Sequence, residues 1–283
     1  MLMNEWQDQA PKSGTFTVLS VTLFSNGEKE ALATTIFDPS VIKRKKRDVE
    51  KEHEQLLCST GVTGDKAVEI LEAYFEPRKP ISELEREENK QRSLRRAKTV
   101  IRKKIIEGEL DHFMTLTYRD NKTDLKEAWD DWKKFIRLAQ KRYPTLKYLV
   151  IAERQKRGAI HFHAAVHGYM HANSIRALWL SVVGSGNIDI KRRKHNQSLH
   201  GLAKYLTKYL TKQYDELESF KNLYRCSRNI KLTILKWYLP KEYALHRQSM
   251  IEEAIIFWLK RVAQYWGDAN GLYSVQWAST LSP

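Results

Sequence analysis

The chain has 283 residues, room for one large domain or a medium domain with an extension, and for a hydrophobic core that needs no disulfide or metal to hold it. Lys and Arg total 49 against 34 Asp and Glu, a formal charge of +15 that attracts polyanions and puts nucleic acid ahead of a membrane surface as partner. Apolar residues at 42% exclude a compositionally disordered chain, and two cysteines, Cys58 and Cys226, exclude a disulfide framework and a four-cysteine metal site.

That cysteine use predicts a reducing, intracellular setting. No uncharged apolar run approaches the ~20 residues that span a bilayer, and the opening Met1-Leu2-Met3-Asn4-Glu5-Trp6 lacks a basic and then apolar leader. The expectation is a soluble, cytoplasmic protein with no membrane partner.

Residues 15 to 24 and 30 to 37 are β-branched and aromatic, and Asn26-Gly27 between them predicts a small hairpin. From Lys43 to Lys104 the composition turns to charged helix formers: Lys43 to Arg47 is all basic, and Lys90 to Lys104 has eight basic residues and no acid. Pro77 and Pro80 split this stretch into at least two helices. If Lys90 to Lys104 is helical, Val100, Ile101 and Ile105 form its inner side. Beyond Gly108 the pattern is a strand at 112 to 118, a helix at 124 to 142, and paired strands at 147 to 153 and 159 to 167. A helix at 171 to 183, a strand at 187 to 191, a helix at 198 to 214, a strand near 229 to 238 and an amphipathic helix near 249 to 265 follow. In the helix at 124 to 142, Leu125, Trp129, Trp132, Ile136, Ala139 and Tyr143 recur at steps of four and three, which makes these aromatics core. Strands interleaved with helices favour an α+β class, one antiparallel sheet with helices on one face.

Residues 159 to 167 read Ala-Ile-His-Phe-His-Ala-Ala-Val-His, and the period of two places His161, His163 and His167 on one face and Phe162, Ala164 and Val166 on the other. Two imidazoles at i and i+2 are close enough to chelate one divalent ion through neutral nitrogens. The preceding strand ends in Glu153, and a turn at Arg157-Gly158 folds that carboxylate back beside the histidines as a third ligand. Nine histidines in a chain of this length also fall two apart by accident, and His167 at the strand end reads as surface.

In the helix at 198 to 214, Leu199, Leu202, Ala203, Leu206 and Leu210 form one apolar stripe. Tyr205 and Tyr209 sit one turn apart on its flank, and Lys208 and Lys212 lie just beyond. A phenol with an ordinary pKa of about 10 needs a close cation to serve as a nucleophile, and Lys208 with a bound metal would provide it. Tyr209, nearest both lysines, is the expected initiating residue. The alternative is a stripe-edge tyrosine pair that packs its rings on the core with solvated lysines outside.

Phe113-Met114-Thr115-Leu116-Thr117-Tyr118, His161-Phe162-His163 and Tyr205-Leu206-Thr207-Lys208-Tyr209 together resemble, in order and spacing, the three motifs of HUH endonucleases, in particular the two-tyrosine rolling-circle replication initiators (Rep) of single-stranded DNA bacteriophages. The resemblance spans roughly residues 110 to 230, including Ser227-Arg228-Asn229. It implies a ferredoxin-like, RRM-like five-stranded antiparallel sheet, with Mg²⁺ or Mn²⁺ held by His161, His163 and Glu153. It also implies nicking of single-stranded DNA by Tyr205 and Tyr209 with Lys208. The products would be a 5′-phosphotyrosine and a free 3′-OH that primes a host polymerase; the second tyrosine would then rejoin the strand. Transesterification conserves bond energy and no G-x-x-x-x-G-K-[ST] loop is present, so the resemblance implies no nucleotide cofactor and a helicase supplied by the host. HUH-type transposases and relaxases use the same chemistry. A non-cleaving nucleic-acid-binding module and a phosphodiesterase that uses water are the other classes open to this sequence.

The expected organisation is an N-terminal hairpin and basic helical extension over 1–107, an endonuclease domain over 108–240 and a helical C-terminal segment over 241–283. Lys212, the run Lys191, Arg192, Arg193 and Lys194, and Arg95, Arg96, Arg102, Lys103 and Lys104 are the expected contacts to single-stranded DNA and to origin duplex.

Overall fold

His112–Tyr118 (β3) alternates buried and half-buried side chains residue by residue, the mark of a strand with two unlike faces. The computed structural model of the chain describes residues 6–9, 11, 16–36, 82–193, 198–212, 224–240, 250–251, 253–254, 266–270 and 273–279. The expectations for Lys43 to Arg47, for helices around Pro77 and Pro80, for Lys194 and for Tyr214 fall outside these residues. Chain contacts divide the protein into two units: one holds residues 24–26 and 83–232, the other residues 1–23, 27–82 and 233–282.

In the first of these units β3 is followed by helix α2 (Leu125–Arg142), strands β4 (Tyr148–Arg154) and β5 (Ile160–Val166), helix α3 (Ala172–Val183) and strand β6 (Gly186–Arg192). Helix α4 (Leu199–Lys212) and the short strand β7 (Tyr224–Cys226) complete the order, and α1 (Glu83–Glu107) precedes it. The sheet runs β6-β3-β5-β4-β7 with every pair antiparallel. The four strands of the β-α-β-β-α-β run thus lie in the ferredoxin-like arrangement, with β7 added at one edge. Asp124 starts α2 by accepting from the Glu127 amide at 2.8 Å.

Both faces of this sheet are covered, where helices were expected on one. Ala128, Trp129, Trp132, Phe135 and Ile136 of α2, with Ile175 and Trp179 of α3, pack on Met114, Leu116, Val150, Phe162 and Ala164. On the other face Ile101 and Ile105 of α1 and Leu202, Ala203, Leu206 and Leu210 of α4 pack on Leu149, Ile151 and Ala165. The second layer follows from β4 and β5, whose side chains are buried on both faces: strands read as apolar throughout require a cover on each side. Helix α1 therefore groups with this sheet although it was expected with the N-terminal extension. Its inner face is Leu94, Ala97, Ile101, Ile105 and Ile106, while Val100, expected inside, is 38% exposed, one residue out of step with the 3.6 period.

In the other unit β1 (Phe16–Leu23) and β2 (Lys29–Ile36) form the expected hairpin. They are the centre of a second sheet, β8-β1-β2-β10-β9, built with β8 (Thr233–Pro240), β9 (Trp266–Asn270) and β10 (Tyr273–Ser279). Leu19, Val21, Ala31, Ala33 and Leu239 pack with Trp6 and with Met250, Ile251 and Ala254 of the C-terminal helical residues. The segment 241–283 is thus not wholly helical: β9 and β10 pair antiparallel there. The dipeptide Asn270-Gly271 between two short strands is the turn signal that marks this hairpin in the sequence.

Phe162 lies at the centre of the first core, its ring centroid 5.1 Å from Trp129 and 5.4 Å from Trp132. Phe162→Ala is expected to lower stability by about 3–5 kcal/mol in urea denaturation, whereas Leu138→Ala on the outside of α2 changes it by no more than about 0.5 kcal/mol.

Candidate functional site

Pleating sends alternate residues of β3, β4 and β5 to the α4 face, and the strand register decides which of them meet. Glu153 lies opposite His161 and Ile151 opposite His163, while Thr115 and Thr117 of β3 lie opposite His163 and His161 on the far side. The connection from β4 to β5 is a tight turn in which Gly158 N–H donates to Gln155 O at 2.7 Å and Gln155 N–H to Ala159 O at 2.8 Å. Gly158 has φ +88°, a left-handed conformation that suits glycine, and so permits the fold-back of Glu153 expected from Arg157-Gly158.

Glu153, His161 and His163 are all buried. His163 Nε2–H donates to Glu153 Oε2 at 2.7 Å, and Lys212 Nζ donates to Glu153 Oε1 at 3.1 Å. Thr115 Oγ1 stands 3.4 Å from His163 Nδ1, and the Gln155 side-chain amide stands 3.0 Å from His161 Nδ1. His161 Nε2 is buried with no hydrogen-bond partner among the described residues. A buried ring nitrogen without a partner is costly and marks a position where something else binds. His167 stands apart from this group as expected: it is exposed and donates from Nδ1 to Glu109 O at 2.9 Å.

Among the described residues no three His, Cys, Asp or Glu side chains stand as a ready metal cage, because Glu153 and His163 are closed on each other through the Nε2 hydrogen. The donor set nevertheless fits a divalent cation. Two donors each ~2.1 Å from one octahedral ion and at right angles lie about 3 Å apart, close to the Glu153–His163 spacing. His161 Nε2 is the further nitrogen still available.

Helix α4 places the tyrosines against this group. Its buried residues Leu202, Ala203, Leu206 and Leu210 seat it on the sheet, and the flank carries Tyr205 and Tyr209. The Tyr209 ring stacks on His163 with centroids 3.6 Å apart and planes at 11°. Tyr209 OH donates to Tyr205 OH at 2.8 Å, and Tyr205 is 42% exposed. Phe113 of β3 lies among the three rings, 5.0 Å from Tyr205, 6.2 Å from Tyr209 and 5.8 Å from His163. Lys212 Nζ lies 5.2 Å from the Tyr209 ring centroid. Lys208 is exposed, and it is Lys212 that reaches the carboxylate.

Burial alone would raise the Glu153 carboxyl; the hydrogen bonds and charges of His163 and Lys212 outweigh it and hold the group below the usual carboxylate range. Burial, then the neighbouring His163, holds His161 below the usual imidazole value, which favours the neutral ring that ligates metals. Burial, the bond it donates to Tyr205 and the nearby Glu153 charge push the Tyr209 phenol up.

The remaining expected contacts divide. Arg95 and Arg96 are exposed on α1, Arg102 and Lys104 are half-buried, and Lys103 is buried. Lys104 donates to the Ile230 carbonyl. Lys191 is exposed and paired with Asp189 at 2.8 Å, Arg192 is exposed, and Arg193 is half-buried with its N–H on Asp111 O at 2.8 Å. Gln155, Thr115 and Phe113 are site neighbours that were given no role in the sequence; only the cross-strand register, which no single segment encodes, brings them to the histidines.

No curated protein and no solved structure matches the chain. One family model does, and it spans the elements from β3 to α4 that build the site. Residues 111–214 match the ORF2-type replication-associated protein family, a likeness consistent with a rolling-circle replication protein and one that implies interaction with DNA.

Proposed function

We propose that the protein is a replication initiator that nicks single-stranded DNA at an origin by tyrosine transesterification and later rejoins the strand. The observation that carries this reading is the Tyr209 ring stacked at 3.6 Å on His163, which sets a hydrogen-bonded phenol pair beside two histidines and a carboxylate. The match to a replication-associated family over the same residues supports it. In the reaction a tyrosine oxygen attacks phosphorus, the bond from phosphorus to the 3′ oxygen breaks, and the proton lost by the phenol is balanced by one gained at that oxygen. A 5′-phosphotyrosine and a free 3′-OH result, and attack by the second tyrosine or by a 3′-OH reverses the link. No ATP is consumed.

His161, His163 and Glu153 are the residues that would hold Mg²⁺ or Mn²⁺. Bound there, the cation supplies positive charge to a non-bridging phosphate oxygen. Gln155 prepares His161 for this role. With its amide oxygen turned to Nδ1–H, a half-rotation that leaves the shape unchanged, His161 presents a bare Nε2. Lys212 keeps Glu153 ionised, and Lys208, exposed on the same helix, is available to the DNA phosphates. Tyr205 takes the first attack: it is the more exposed hydroxyl, and the bond donated by Tyr209 stabilises its oxygen as negative charge develops. This order departs from the one expected when the lysines alone were weighed.

Incubation with single-stranded oligonucleotides tiled across the gene's own replicon plus Mn²⁺, followed by denaturing electrophoresis, should reveal a protein–DNA adduct. Tyr205→Phe is expected to lower first-strand adduct by on the order of 100-fold or more. Tyr209→Phe should retain the adduct and lose rejoining, and the double change should abolish both while DNA binding stays. DNA binding by the wild type with no adduct under any divalent ion would identify a non-cleaving module instead; cleavage without adduct would identify attack by water.

A second expectation concerns the donors. In Mn²⁺ binding followed by electron paramagnetic resonance, His161→Ala should abolish tight binding. Gln155→Ala should weaken it by on the order of 10–100-fold while Gln155→Glu restores it, and His167→Ala should leave it unchanged. Wild-type affinity in His161→Ala would remove the proposed ligand set.

A further inference from the structure

Helix α4 has two flanks beside its apolar stripe, and only one carries the tyrosines. The other faces α1, where a cleft of about 340 Å³ opens between the helices. Lys98 and Arg102 line it from α1, His200 and Lys204 from α4, with the hydroxyls of Thr99 and Thr207 between them. Among the described residues no carboxylate lines the cleft, and neither Lys98 nor Lys204 forms an ion pair. Elsewhere in this unit basic side chains are matched by acids: Lys191 by Asp189, Lys122 by Glu127 and Lys212 by Glu153. Cations gathered in a cleft whose walls carry no acid repel one another unless an anion is supplied from outside.

The floor of the cleft is rigid, because Ala97 and Ile101 of α1 pack in one cluster with Ala203 and Leu206 of α4. Its volume equals about ten water molecules at ~30 Å³ each, which admits a phosphate with its sugar and excludes a duplex. From Lys204 the crest of α4 continues through Lys208 to Lys212, three lysines four residues apart and so about 6 Å from one to the next. This crest links the cleft to the flank that bears Tyr205 and Tyr209.

The geometry points to a second nucleic-acid subsite: the α1/α4 cleft binds the phosphate backbone of the single strand that continues past the cleavage point, led there along the α4 lysines. The inference rests on the reading of the chain as a nicking enzyme, since the tyrosines define where the strand is cut. Its ligand class is a single-stranded polynucleotide, held by phosphate contacts without base readout.

The test compares affinities of the full chain for a short oligonucleotide that ends near the nick and for one extended past it. Fluorescence anisotropy in EDTA separates binding from cleavage. Lys98→Gln/Arg102→Gln/Lys204→Gln is compared with Lys126→Gln/Lys133→Gln/Arg137→Gln, which removes the same charge from exposed positions on the opposite face of the sheet. The wild type should gain affinity on extension. The cleft variant should lose that gain and flatten the slope of log affinity against log salt by about 2 units, at ~0.7 per single-strand phosphate. The α2 variant should keep the gain. Lys98→Gln/Lys204→Gln, which spares the half-buried Arg102, should show a smaller loss in the same direction. Equal losses in the cleft and α2 variants would reduce the effect to net charge and overturn the proposal. So would a wild type whose thermal stability rises with inorganic phosphate through these residues while extension of the strand brings no gain, which identifies a free-phosphate site. Absence of adduct in Mn²⁺ with the length-dependent step intact would sink the nicking reaction and leave the strand-binding cleft standing.

Discussion

Every side chain of β5 is buried, and this one strand ties the core to the site. Its period of two sends Phe162, Ala164 and Val166 into an aromatic core with Trp129, Trp132 and Trp179, and His161 and His163 into the opposite layer. A slip of one residue in pairing would exchange the two sets, placing imidazoles among tryptophans and Phe162 beside the tyrosines. The apolar contacts on one face therefore fix the register of the polar groups on the other, and the precision of the site derives from the core beneath it.

Two histidines and a carboxylate buried in a protein layer are costly unless their charges and lone pairs are met. Here Glu153 meets His163 on one oxygen and Lys212 on the other, and this arrangement keeps the carboxylate ionised against its burial. His161 is satisfied only at Nδ1. The group is stable but incomplete: one nitrogen faces no partner, and a hydrogen occupies the position between Glu153 and His163 that a cation would share. A layer built purely for stability would place apolar residues at these positions, as it does at Leu149, Ile151 and Ala165 one or two steps along the same strands.

Helix α4 shows how 3.6-residue periodicity lets one element serve several tasks. Leu202, Leu206 and Leu210 anchor it, Tyr205 and Tyr209 flank that stripe on the side of the histidines, and His200 and Lys204 flank it on the side of α1. Packing on α1 holds the helix from the flank opposite the reacting one, so the tyrosines are positioned without burial of both hydroxyls.

The sequence by itself determined the elements of this unit, the face shared by His161 and His163, the pairing of Tyr205 with Tyr209, and the core role of Trp129 and Trp132. These are local consequences of strand and helix periods. The turn at Gly158 was legible for the same reason. Partners across strands and between helices were not legible. That Lys212 and not Lys208 reaches Glu153, that Gln155 and Phe113 adjoin the histidines, that α1 covers the second face of the sheet, and that 266–279 adds strands to the N-terminal hairpin were all decided by tertiary structure. The physical reason is common to them: each depends on register and on which of several apolar faces is left to be covered, and both are set by the packing of distant segments against each other.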